Sequence, residues 1–328
     1  MEGRGGARDV GPDLFRKLSV LGVPTFLLIE GVEKGEPRKD PEGERLGAWA
    51  EAFYRGLSAE ELLRWPGGVA RALSALAGRH FYSAPGPPEK TVSVGEIQKA
   101  FAEGRYVRAV NFHTTPPRLA AGYEEQLARL AERFVPVTPD NLKHLATTGE
   151  WPHERPGVLL NFFDGHRHSY EVAAPILDRL GLIGWFYLVS AWISTPPEDQ
   201  RLFADEHLIH LPHDGRDVPT DGRLALSPDE ARDLARRGHV IASHTHEHTT
   251  ASPKFAPDLS RKALARELAG SKRILENLAG GPVGALAWRE GTPLGAEGRA
   301  DRALAEAGYE LLLANHAVQR VPRASGGL

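Results

Sequence analysis

From about residue 105 onward, the apolar positions of the chain switch repeatedly between two periods. VRAVNFH (Val107 to His113), GVLLNFF (Gly157 to Phe163), LIGWFYLV (Leu182 to Val189) and GHVIASH are compact apolar runs of strand length. GYEEQLARLAERF (Gly122 to Phe134), SYEVAAPILDRLG and the stretch from Leu259 to Leu278 instead place apolar residues at the helical interval. A short strand at FVPV and a helix at PDNLKHLA fill the first gap. ALAW (Ala285 to Trp288), the helix GRADRALAEAG and the strand YELLLAN complete the series. SPDEARDLARRG opens on a helix start signal, with Ser227 as cap, Pro228 in the first turn and Glu230 at the capping-box position.

Strand followed by helix thus recurs about seven times, which predicts an α/β fold of parallel strands with helical crossovers, either a (β/α) barrel or a doubly wound sheet. Both architectures carry their chemistry at the carboxyl ends of the strands. Residues 1–100 follow another pattern: a strand at Val23 to Gly31, helical stretches such as SAEELLRW, and a proline-rich break at residues 83–90. They are read as an accessory α/β segment of unassigned role ahead of a main domain spanning 105–323.

Two strand ends stand out chemically. NFFDGHRH brings Asp164 into a turn with His166 and His168 close behind, and Asp-Gly taken alone does no more than close a tight turn. SHTHEHTT places His244 and His248 at i and i+4, so that a helical turn after the strand would align both imidazoles and point His246 away. One carboxylate and two imidazoles suit zinc first, with Co²⁺, Ni²⁺ or Fe²⁺ also fitting, and three protein ligands leave room for water and substrate. The implied chemistry is hydrolysis of an amide or ester. A non-haem iron oxygenase uses the same donors, but on an all-β framework that this alternation does not match.

Composition narrows the partners. A formal net charge of −3 offers no broad attraction to nucleic acid or anionic lipid, and the absence of cysteine leaves any metal to His and carboxylate. The longest apolar run, Gly181 to Ile193, is too short to span a bilayer. The start MEGRGGARDVGPD lacks the apolar core of a secretory signal, so a cytoplasmic location is the default expectation, or export if a longer precursor exists.

The order NFHTTP, GYEEQLARLAERF, NFFDG, SYEVAAPILDRLGLIGWFYLV and SHTHEH resembles the polysaccharide deacetylases with a NodB-like domain, carbohydrate esterase family 4, over roughly residues 105 to 323. That resemblance implies a distorted (β/α) barrel and removal of N-acetyl or O-acetyl groups from a glycan or amino sugar by a metal-bound water, with Asp164, His244 and His248 as metal ligands. The family motif T-F-D-D-G uses its first Asp as general base, and Phe163 stands at that position here. LAWREG departs from the family's third motif, and YELLLANHAVQRVPR looks like the branch acting on poly-N-acetylglucosamine. His166, Glu290 and Arg289 are the candidates for proton transfer or its support, with Glu247 also considered as a base. His113, Trp288 and Trp192 are the candidate substrate contacts. The insertion Ala191 to Leu226 is a candidate lid or sugar platform, with His207, His210 and His213 read as loop residues. A degenerate deacetylase that binds carbohydrate or metal with little turnover is the alternative.

Overall fold

The computed structural model describes residues 107–323 except 149–150, 212–221, 253–258, 296 and 315–317. The expected N-terminal strand, helices and proline-rich break, and His213, lie outside the described residues.

Strands β1 (Val107–Phe112), β2 (Val135–Pro136), β3 (Gly157–Phe162), β4 (Gly184–Leu188), β5 (Val240–Ser243), β6 (Ala285–Ala287), β7 (Leu311–Leu313) and β8 (Val318–Arg320) form one sheet. Its order is β1-β3-β4-β5-β6-β7-β8, with β2 paired to the start of β3. Every pairing is parallel except β7 with β8. The sheet curls into a half-barrel flanked by helices, a distorted (β/α) architecture as expected.

Why β3 is apolar throughout follows from its two buried faces, since a central parallel strand has no solvated side. Val158, Leu160 and Phe162 point toward the helix layer and join Phe112, Phe186 and Leu188 in one core. Leu159 and Phe163 point the other way, into an inner core with Trp185, Tyr187, Leu311 and Leu313. There the facing positions Ala242, Ala285 and Ala287 are small, which gives the large aromatic side chains room inside the curl.

The outer core is closed by the apolar stripes of α1 (Ala120–Arg133), α3 (Ala174–Leu180), α5 (Pro228–Arg236), α7 (Ser271–Ala279) and α8 (Gly298–Glu306), with α4 (Gln200–Glu206) and α6 (Arg261–Ala265) between them, whereas α2 (Pro139–Thr148) has no part in it. Leu127 and Leu130 of α1, Ile176 and Leu177 of α3, Leu234 of α5 and Leu275 of α7 are all buried in it; α2 instead buries Leu142 against the inner core. Starting α5 is the expected reciprocal cap: Ser227 Oγ accepts the Glu230 N–H at 3.2 Å, and Glu230 accepts the Ser227 N–H at 2.6 Å. Arg223 pairs with the same carboxylate, fixing the entry to the helix.

Three features depart from the sequence expectation. The single helix expected over Leu259 to Leu278 is two α-helices joined by a π-helical turn, Arg266–Gly270, which draws Glu267 inward. Another π-helical turn, Ser169–Ala173, precedes α3. Finally, β8 and α4 are short elements without a full period of alternation, so no pattern announces them.

Removing the cap oxygen tests this account of α5. Ser227→Ala is expected to lower unfolding stability by about 1 kcal/mol, measured by urea denaturation, while leaving the strand ends unchanged. A variant as stable as the native chain would show that Arg223 and Glu230 hold the helix start without the hydroxyl.

Candidate metal centre

Asp164 leaves β3 in a left-handed conformation, φ +71°, followed by Gly165 at φ +97°. Aspartate tolerates that region better than most residues, and glycine is free in it. The turn is held from three sides. Gly165 N–H donates to Phe163 O at 2.8 Å, Val189 N–H to Asp164 O at 3.1 Å, and Leu226 N–H to Gly165 O at 2.9 Å. There is no space for a side chain at Gly165, where a Cβ would sit 2.9 Å from Ile193 Cγ2. The Asp164 carboxylate is thereby turned inward and is 1% exposed.

His244 directly follows β5, and the loop after it is not the helical turn that the i, i+4 spacing suggested. Thr245 and His248 both take positive φ, +69° and +58°, and these two residues fold the loop back on itself. Thr245 Oγ1 accepts the Thr249 N–H at 2.8 Å, while Ser190 and Ala191 donate their N–H groups to the carbonyls of Thr245 and His246. The expected convergence is present but reached by another backbone path: one donor atom from each of Asp164, His244 and His248 lies within 4.8 Å of the others.

Hydrogen bonding fixes the tautomers. His244 Nδ1 lies 2.8 Å from the Ala287 carbonyl and His248 Nδ1 lies 2.7 Å from the His207 carbonyl. A carbonyl only accepts, so both Nδ1 atoms carry the proton and both Nε2 atoms present lone pairs. These face Asp164 Oδ1 at 3.5 and 3.4 Å, and Oδ1 itself has no hydrogen-bond partner. Three buried acceptors directed at one another are repulsive unless a cation lies among them. Protons serve poorly, because burial lowers the pKa of His244 against the pull of Asp164, and burial followed by the His244 charge presses His248 down to about 3. Asp164 behaves oppositely. Burial resists its charge, but hydrogen bonding from His113 and His166 and the field of His244 hold its carboxyl well below the usual range. An ionised carboxylate with two neutral imidazoles is the donor set of a divalent-metal site, and the residues fit the ion that the motifs implied.

The other candidates separate by burial. His113, just past β1, lies 3.3 Å from Asp164 Oδ2 through Nδ1, and its side chain is 56% exposed. Burial of part of the ring opposes its charge, yet the Asp164 carboxylate outweighs this and raises its pKa above 6.5. His166 Nε2 lies 3.4 Å from the same oxygen, but the ring is buried edge-on against Trp192. Trp192 and Trp288 are core residues, 0% and 2% exposed, so neither offers a face for a sugar; the Trp192 indole donates to the Gln200 carbonyl. Arg289 pairs with Glu290, whose φ of +67° turns it in the loop after β6, and the Arg289 charge is close enough to depress both metal-facing histidines. Glu247 is engaged by Arg266 at 2.8 Å, and His246 Nδ1 by Ser190 Oγ at 2.9 Å, away from the centre as expected.

The position where the resemblance implies a general base is Phe163. Phe163 is stacked between His113 and Tyr187, each at 5.2 Å between centroids, and leans on His244 at the same distance. What sequence reasoning missed is the supporting set: the carbonyls of Ala287 and His207, which carry no residue-type signal, and the buried Glu267, which a break in helical periodicity could have flagged.

The family profile described as polysaccharide deacetylase matches residues 151–312. Among curated proteins none matches the chain. Solved structures with a similar fold include a Streptococcus pyogenes deacetylase, PplD, in complex with acetate, at 15% identity over 62% of this chain and 79% of that one, TM-score 0.45. IcaB from Ammonifex degensii is similar at 16% identity over 67% and 87% of the two chains, TM-score 0.46. A de-N-acetylase from Aggregatibacter actinomycetemcomitans is similar at 18% identity over 68% and 97%, TM-score 0.46. No helix of the described residues is long and apolar enough to cross a membrane.

The lone-pair geometry predicts that the purified protein binds one divalent transition metal, lost in His244→Ala and His248→Ala and kept in His246→Ala. Elemental analysis finding equal metal in all three variants would remove the assignment. Because burial lowers the pKa of both imidazoles, that of His248 to about 3, occupancy should hold as pH falls from about 8 to about 6. Metal loss across that interval would mean that the two rings titrate as solvent-exposed histidines do.

Proposed function

This chain belongs to the polysaccharide deacetylase family, matching it over residues 151–312, and on that premise we propose that it is a metal-dependent hydrolase removing acetyl groups from an N-acetylated glycan. The observation that carries the reading is the meeting of Asp164 Oδ1, His244 Nε2 and His248 Nε2 at one buried point beside the strand ends. These atoms would hold a divalent ion, zinc by preference for a site of two imidazoles and one carboxylate. When bound, such an ion polarises an acetyl carbonyl and lowers the pKa of water to about 7 in favourable cases.

Proton handling falls to the neighbours. Asp164 Oδ2 orients the His113 ring through Nδ1, which leaves Nε2 of this half-exposed imidazole as the atom that exchanges a proton with substrate on the open side. His166 is buried and serves to orient Asp164 rather than to meet a glycan. Amide hydrolysis needs a proton taken from water and one given to the departing amine; the Phe163 ring can accept none, which leaves the His113 imidazole stacked on it to handle both. Turnover is therefore slow. The same aromatic wall supports the second reading, a degenerate deacetylase that holds an acetylated glycan with little hydrolysis.

Acetate release from N-acetylglucosamine oligomers is expected to stay below the usual range for enzymes, under about 1 per second. Phe163→Asp would put a carboxylate beside the site and should raise that rate. The gain should be partial, because losing the stacked ring costs about 3–5 kcal/mol of packing and nothing fixes the new side chain. If Phe163→Asp folds, retains metal and is no faster than native on several acetylated glycans, the missing-base account fails. Native turnover of about 1 to 10³ per second would show that another group already acts as base.

A further inference from the structure

The backbone of Glu247, immediately before the ligand His248, is gripped on both sides of its Cα by side chains that no motif identifies. Its N–H donates to Glu267 Oε2 at 2.9 Å, and its carbonyl accepts from His207 Nδ1 at 3.0 Å. His207 closes the circuit through its own carbonyl, which receives the His248 Nδ1 proton at 2.7 Å. Glu267 is 4% exposed, an uncommon place for a carboxylate, and it is brought there by the π-helical turn. Arg266 neutralises it from the solvent side at 3.1 Å while also pairing with the Glu247 side chain. His207 is fixed in turn by stacking on Phe203, 4.1 Å between centroids, at the end of α4.

The cost that this arrangement offsets is visible in the backbone. His248 is a bulky residue at φ +58°, a conformation that must be imposed by its surroundings. We propose that Glu267 and His207 are positioning residues of the metal centre, clamping the two peptide groups that flank Glu247 so that His248 holds its left-handed turn and aims Nε2 at Asp164. The insertion that carries α4 thus supplies the acceptor that sets the tautomer of a ligand. The inference rests on the metal-centre reading above, and it adds two residues outside the ligand set whose loss should be felt at the ion. Partners of this outer kind typically contribute 10- to 100-fold in metal affinity.

The test is the zinc affinity of the full chain, measured by competition with a chromophoric chelator, beside the melting temperature of the metal-free protein. Glu267→Ala and His207→Ala should each weaken zinc binding by about 10- to 100-fold. Glu267→Gln keeps an oxygen for the Glu247 N–H, and His207→Asn keeps an N–H for the Glu247 carbonyl, so both should restore affinity to within a few-fold of native. A merely structural role would lower metal-free stability without this pattern of rescue. Native protein that takes up no zinc overturns the metal-centre reading and the clamp with it. Native protein that binds zinc while the alanine variants bind it equally well, or while the conservative variants lose as much as the alanine ones, overturns the clamp alone. Because Glu267→Ala empties a buried site and can compromise folding, the half-exposed His207 pair keeps the proposal open to refutation.

Discussion

Asp164 is a buried carboxylate facing four imidazoles, and its two oxygens divide the labour of the site: Oδ1 looks toward His244 and His248, Oδ2 toward His113 and His166. An unpaired charge at that depth would cost several kcal/mol, so the surroundings must supply positive partners or a cation. The imidazoles cannot all be those partners. Two are locked by backbone carbonyls into tautomers that present lone pairs, and burial resists their protonation. The electrostatics of the whole strand-end surface depend on what fills that gap.

The fold delivers this arrangement by separating two kinds of packing. On the outer side of the sheet, large aliphatic and aromatic residues meet the helices and set the strand positions. On the inner side, alanines of β5 and β6 face Trp185, Tyr187 and Phe163, so the curl is filled with aromatic rings up to the edge of the metal centre. Phe163 belongs to the inner packing and to the edge of the site, a core residue whose ring meets His113 and His244. A ring at this place couples the mouth of the site to the packing of the interior.

Much of this was legible in the sequence, for identifiable reasons. The continuous apolar run of β3 and the capping box at Ser227 are strong local signals, and both are where the pattern put them. The three donors could be named because Asp-Gly and closely spaced histidines at the ends of parallel strands are few. The path between them could not. Spacing suggested a helical turn, whereas Thr245 and His248 adopt left-handed backbone set by contacts from Ser190, Ala191 and Glu267 that are remote in sequence. Burial was equally hidden: Trp192 sits in a loop-like stretch yet is fully enclosed, because α4 was too short to be read. Backbone carbonyls that fix tautomers leave no trace in residue type.

Among the described residues, the non-glycine positions with positive φ are Asp164, Leu208, Thr245, His248 and Glu290, and all but Leu208, which follows α4, lie just past the carboxyl end of a strand. Each such residue stores roughly 1–3 kcal/mol of conformational strain. The usual remedy for an engineer seeking heat resistance is to relax strained positions, by placing glycine or asparagine there. In this molecule the relaxed version of Asp164 loses its charge and the relaxed version of His248 loses a donor. Relaxing Asp164 or His248 thus removes a donor of the candidate metal centre, so at those two positions robustness and the site are opposed.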